Sequence, residues 1–138
     1  MTSAHFFKLY PVAIAAFLVI DLLWLGVVAR SFYQAQMGHL MKANVNWFAA
    51  MAFYLLFVSG IVILVVMPAL DRQSLGQAIA LGALFGLVTY AAYDLTNLAT
   101  LEGFPVTVAI VDLAWGAVLC SSVSAVTYLV GLRLLDRG

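Results

Sequence analysis

Charged side chains are what this sequence has least of. Six basic and six acidic residues make up 9% of 138 positions, against about 25% in soluble domains. That scarcity excludes a water-soluble globule. The two signs cancel to a formal net charge of zero, and no basic block is present to meet nucleic acid or to recruit anionic lipid. Nucleic acid is therefore not an expected partner. One cysteine, Cys120, excludes an internal disulfide. The two histidines, His5 and His39, fall outside the long apolar runs, which excludes a histidine-rich metal site within them. Also missing are a phosphate-cradling glycine loop, a zinc-binding histidine pair and a nucleophile elbow. No residue is assigned a catalytic role, and no cofactor is identified.

What the chain has in quantity is apolar residues, 66% of the total. Four runs are long enough to cross a hydrocarbon core, which takes about 20 helical residues. They cover residues 9–29, 47–69, 75–99 and 105–132. The fold class expected is an all-α integral membrane protein, a four-transmembrane-helix bundle forming a single domain. In the longest connection Phe32, Tyr33, Met37, Leu40 and Met41 recur at helical spacing, so an interfacial amphipathic helix is expected within 31–45. Lys8 and the first apolar run resemble a signal peptide. Asp21 interrupts that run, however, and no small-x-small site follows, so an uncleaved span is the better reading. Counting Lys and Arg in the short loops sets Lys8, Arg72, Arg133 and Arg137 against Arg30 and Lys42. That balance puts both termini in the cytoplasm. Tyr10, Tyr33, Trp47 and Phe104 stand near span ends, where aromatic rings anchor at the interface.

Three aspartates interrupt these runs: Asp21, Asp94 and Asp112. A carboxyl at the centre of a membrane helix costs about 2.5–3.5 kcal/mol on insertion scales, so three unpaired ones would cost roughly 8–10 kcal/mol. Asp21 lies about 18 Å along the first span, and Asp112 about 10 Å into the last. Asp94 is near the end of the third. Alternation of direction puts all three in the same half of the bilayer.

Each aspartate sits in a patterned segment. Gly82, Gly86, Tyr90, Asp94 and Asn97 form one stripe of the third helix, with Thr89, Tyr93, Thr96 and Thr100 beside it. The glycines permit close helix approach. Trp24 stands one turn beyond Asp21, and Trp115 one turn beyond Asp112, so each carboxyl can accept from the indole of its own helix. The repeated Asp-Leu-x-Trp on two antiparallel helices suggests an inverted pair. The polar tract Ser121, Ser122, Ser124 and Thr127 is read as structural. The second helix, with only Tyr54 and Ser59, is read as a packing partner.

Asp21-Leu-Leu-Trp-Leu-Gly26, Phe32-Tyr33 and Gly38-His39-Leu40 resemble, in that order, segments of the DUF2177 family. So do Tyr93-Asp-Leu-Thr-Asn-Leu-Ala-Thr100 and Asp112-Leu-Ala-Trp-Gly116. The resemblance implies a four-helix protein of the bacterial inner membrane and implies no activity.

The function expected from the residues is an intramembrane carboxylate-lined site that binds or transports a proton, a cation or a cationic small molecule. Asp21, Asp94 and Asp112 would form it, Asn97, Tyr90 and Tyr93 would orient the ligand, and Trp24 and Trp115 would be apolar walls. Aspartates in one pocket would share protons and titrate as a coupled set. A divalent cation would recruit Asn97 and Glu102 as further oxygen donors. His39 would cover the pocket from the long loop. Membrane lipid is the expected partner, and a homodimer is expected if the chain transports. Alternatives are an enzyme or accessory protein acting on lipid, and a structural subunit of a membrane complex. A groove open sideways to lipid favours the former.

Overall fold

The computed structural model describes residues 2–40 and 46–135, and the regular structure among them is helical. Met41, Lys42 and Arg137 lie outside the described residues. Four helices are long and apolar enough to cross a membrane: a first, Ser3–Val28, a second, Trp47–Asp71, a third, Leu75–Thr100, and a fourth, Val106–Leu134. The chain is an all-α, four-helix membrane bundle.

Local chemistry explains where these helices begin. His5 Nδ1 accepts the Thr2 backbone N–H at 3.0 Å, so the first helix starts at Ser3 rather than near Leu9. Asn46 and Ser74 cap the second and third helices by accepting from Ala49 N–H and Gln77 N–H, at 3.1 and 3.0 Å. Gln73 and Gly103 adopt positive φ in the two tight connections. Two wide π-helical turns interrupt the ladder, at Trp24–Val28 and Val62–Val66. The second ends two residues before Pro68, whose ring would crowd the carbonyl four residues back, at Leu64, in a regular helix.

Small residues set how the helices pack. Hydrocarbon solvates leucine as well as a protein core does, so close van der Waals approach must replace the hydrophobic effect. The third and fourth helices make the most extensive contact. A Cβ built on Gly86 would lie 1.9 Å from the Gly116 carbonyl oxygen and 2.9 Å from Cys120 Cβ. One on Gly82 would lie 2.7 Å from Ser124 Oγ, and one on Gly116 2.5 Å from Tyr90 Cγ. These contacts fix an antiparallel register. Gly82 faces Ser124, Gly86 faces Cys120 and Tyr90 faces Gly116, in steps of four on both helices. One further step puts Asp94 opposite Asp112.

The first and second helices close the bundle through Leu9, Ala13 and Phe17, and through Phe57, Val58 and Ile61, all buried with Leu119 and Val123. Tyr10 does not stop at the interface; its hydroxyl donates to the Leu55 carbonyl at 2.8 Å, tying these two helices. The long connection forms a short helix, Arg30–Met37, followed by a 3-10 turn at Gly38–Leu40. Its apolar side, Phe32, Tyr33 and Met37, packs on Phe104, Val108, Ala109 and Leu98, at the junction of the third and fourth helices. Of the stretch 31–45, residues 41–45 lie outside the described residues. Outward-facing side chains such as Phe48, Leu56 and Val27 remain exposed, as a lipid-facing surface requires.

Gly86→Ala should disrupt the bundle, because its new methyl meets backbone rather than a movable side chain. A loss of about 3 kcal/mol or more is expected, read as earlier thermal loss of helical circular dichroism in detergent. Gly38→Ala, with nothing within 4 Å of its new atom, should unfold like the wild type.

Candidate functional site

The register of the third and fourth helices brings two carboxyls together. Asp94 is fully buried, and neither of its oxygens meets a hydrogen-bond partner among the described residues. Its neighbour is the carboxyl of Asp112. Two carboxylates offer each other no donor, so a bond between them requires a proton.

Asp112 and Asp21 are held by a crossed set of bonds. Trp115 Nε1, on the fourth helix, donates to Asp21 Oδ1 on the first at 3.3 Å. Trp24 Nε1, on the first helix, donates to the Tyr33 hydroxyl at 3.3 Å. Tyr33 in turn donates its proton to Asp112 Oδ1 on the fourth. The two indoles stack between these bonds, with ring centres 4.3 Å apart and planes 9° from parallel. The same-helix pairing expected from sequence therefore does not form. An indole N–H lies at the far end of a long side chain, so a tryptophan facing the neighbouring helix delivers it across the interface. Trp24 and Trp115 are less the walls of a pocket than the two halves of a clasp.

The remaining residues of the expected site are placed differently. Tyr90 covers Gly116 with its ring and lies 6.3 Å from Phe57. Tyr93 is 56% exposed and sets its edge against Phe104. Asn97, partly buried, interacts with the Tyr93 hydroxyl. None of the three bonds to Asp94. His39 lies over the Gly103 turn, where its Nε2 would be 3.8 Å from a Cβ on that glycine. Ser121 Oγ donates to the Val118 carbonyl at 3.0 Å, as its structural reading implies. Ser124 and Thr127, by contrast, are buried with hydroxyls that find no partner among the described residues.

Tyr33 is the site residue that sequence reasoning missed. Its spacing with Phe32 and Met37 marks it as an interface anchor. The one signal to the contrary is that only nine positions separate it from Trp24, which keeps it within reach of the end of the first helix. The wide turn at Trp24–Val28, closed by Ala29 N–H to Trp24 O at 2.7 Å, folds the short helix back over the bundle. Burial pushes the Tyr33 phenol well above the usual tyrosine range, and its bond to Asp112 adds to this; the Trp24 bond acts the other way. Tyr33 is therefore a neutral donor at any physiological pH.

The cluster holds three carboxyls, and among the described residues no lysine or arginine forms an ion pair with them. Nor does any group of three His, Cys, Asp or Glu among those residues suit a metal ion. A family model described as a predicted membrane protein, DUF2177, matches residues 6–129 of the chain. No curated protein and no solved structure matches it.

Two measurements test this arrangement. Because the folded phenol binds its proton more tightly than the unfolded one, the stability Tyr33 contributes is full below pH 10.0 and declines as pH rises towards the folded value. Tyr33→Phe should accordingly leave the tyrosinate absorbance gained around pH 10.0 unchanged; a lost increment there would show an ordinary, exposed phenol. In a double-mutant cycle, Trp24→Phe and Trp115→Phe should couple by about 0.5–1.5 kcal/mol in thermal stability. Additive effects would mean that the stacked pair is not a unit.

Proposed function

We propose that this chain, which belongs to the DUF2177 family of predicted membrane proteins, is an integral membrane protein whose carboxyl cluster binds a proton between Asp94 and Asp112. One observation carries the reading: a fully buried aspartate has no donor for either oxygen among the described residues and has a second carboxyl as its neighbour. An unpaired buried carboxylate is costly enough that it neutralises in preference to staying charged. A proton shared between the two acids supplies the missing donor and halves the pair's formal charge in one step.

The other ligands of the expected class fit less well. A divalent cation wants six or more oxygens converging on a point, and no acidic group among the described residues is so arranged. A cationic small molecule needs space beside the carboxyls. Of five cavities along the described residues, one is lined by Tyr33 and none by the three aspartates. A proton needs no cavity.

Tyr33 and the indole pair give this site its mechanical meaning. Protonation at Asp112 changes what the Tyr33 hydroxyl can donate to, and Tyr33 belongs to the short helix that lies on the bundle end. Gain or loss of the proton is thereby linked to the seating of that helix. A purely structural clasp would use the Trp115–Asp21 and Trp24–Tyr33–Asp112 bonds in the same way but gives Asp94 nothing to do.

Infrared spectroscopy of the reconstituted protein at neutral pH distinguishes these outcomes. A carboxylic-acid C=O band, shifted in heavy water, is expected in the wild type and in Asp21→Asn, and is expected to be absent from Asp94→Asn and Asp112→Asn. A wild type without that band, or one in which it survives both substitutions, would overturn the shared proton.

A further inference from the structure

Between the first and second helices runs an apolar groove of about 330 Å³, lined by Ile14, Leu18, Met51, Tyr54 and Val58, with Trp47 at one end. A second hollow, of about 480 Å³, is formed by Leu25, Gly26, Arg30, Tyr33 and Gln34. The first helix contributes Ile14 and Leu18 to the groove and Leu25 and Gly26 to the hollow. The two therefore succeed one another along that helix, from its middle to its end. Trp47 opens the antiparallel second helix, so it marks the same membrane face as Arg30.

The groove's dimensions decide what it can hold. Trp47 to Val58 is eleven steps, roughly 16 Å of helix rise. Along that length the groove holds about 330 Å³, which suits an extended apolar chain better than a compact ligand. The lining offers almost no hydrogen-bonding group, so water would find none of the two to four partners it needs. The groove lies within helices that cross the membrane and opens sideways, where the available apolar chain is lipid.

The hollow supplies the complementary chemistry. Arg30 is exposed and forms no ion pair among the described residues, and the Gln34 amide stands one turn further on the same short helix. A guanidinium with an adjacent amide, at the membrane surface, suits a phosphate. Tyr33 forms the inner wall, with its hydroxyl already committed to Asp112.

We propose that this face binds one phospholipid, its acyl chain lying in the groove between the first and second helices and its phosphate held by Arg30 and Gln34. Because Tyr33 touches both the hollow and Asp112, a bound headgroup sits one residue away from the proton-sharing pair. The lipid site stands on its own observations and does not depend on the proton.

Native mass spectrometry of the full chain, released from nanodiscs of palmitoyl-oleoyl phosphatidylglycerol, measures the lipid that each chain retains. The wild type should keep one. Leu18→Trp, which fills the groove, and Arg30→Gln, which removes the cation, should each lower retention by about tenfold or more, the weight of a charge-assisted hydrogen bond or of an acyl contact. Arg30→Lys should restore part of it. Leu129→Trp, on the lipid-facing side of the fourth helix, should change nothing. Equal retention in the wild type, Leu18→Trp and Arg30→Gln would overturn the proposal. So would diacylglycerol retained as tightly as phosphatidylglycerol, or a dimer that Leu18→Trp dissolves with no change in lipid. Arg30 is exposed, so its variants report on binding even if Leu18→Trp fails to fold. Asp94→Asn should keep its lipid while losing the shared proton, so the failure of either reading shows separately.

Discussion

The contact between Gly86 and the Gly116 carbonyl is the constraint on which the other features of this bundle rest. In hydrocarbon, no hydrophobic effect draws two helices together, and their closest approach is set by what can be removed between them. Where the third and fourth helices meet, the side chain has been removed altogether. The backbones then lock in a register that repeats every four residues, with Gly82 on Ser124, Gly86 on Cys120 and Tyr90 on Gly116. Asp94 and Asp112 come next in that series. Their adjacency is a geometric consequence of glycines one to three turns away, and a slip of one turn would separate them.

At this acidic end, burial and hydrogen bonding pull in different directions. Asp21 receives an indole N–H, and Asp112 receives a phenol that stays protonated. Among the described residues, Asp94 meets no donor and has another acid as its neighbour. Apolar side chains would have stabilised a bundle of this size more simply. An acid without a donor among the described residues, at the end of an otherwise well-donated network, is what the proposed proton site rests on. In that proposal the Tyr33 helix, resting on Phe104 and Val108, is the element that responds. It also borders the hollow at Arg30, so the proposed proton site and the proposed lipid site share one side chain, Tyr33.

The two wide helical turns do different work. The one before Pro68 relieves a steric conflict that any proline creates inside a helix. The one at Trp24–Val28 has no proline to accommodate. It separates Asp21 from the short helix, rotates the chain beyond Val28, and lets Tyr33 reach back across Trp24 to Asp112. Without it, a regular helix would carry the chain straight on into the aqueous phase.

Four apolar runs in a chain with so few charges leave only one fold class open, because each buried backbone group must be satisfied within its own helix. The cost of acid in hydrocarbon also marks Asp21, Asp94 and Asp112 as the residues needing explanation, and the alternation of helices puts them at one depth. Those inferences depend on composition and length, which a sequence displays directly. Partnership is another matter. That Trp115 serves Asp21, that Trp24 serves Asp112 through Tyr33, and that Asn97 and Tyr93 turn away from Asp94 all depend on helix register and on a widened turn. Both are decided by contacts between residues far apart in the chain, where one methyl group at Gly86 outweighs any local pattern.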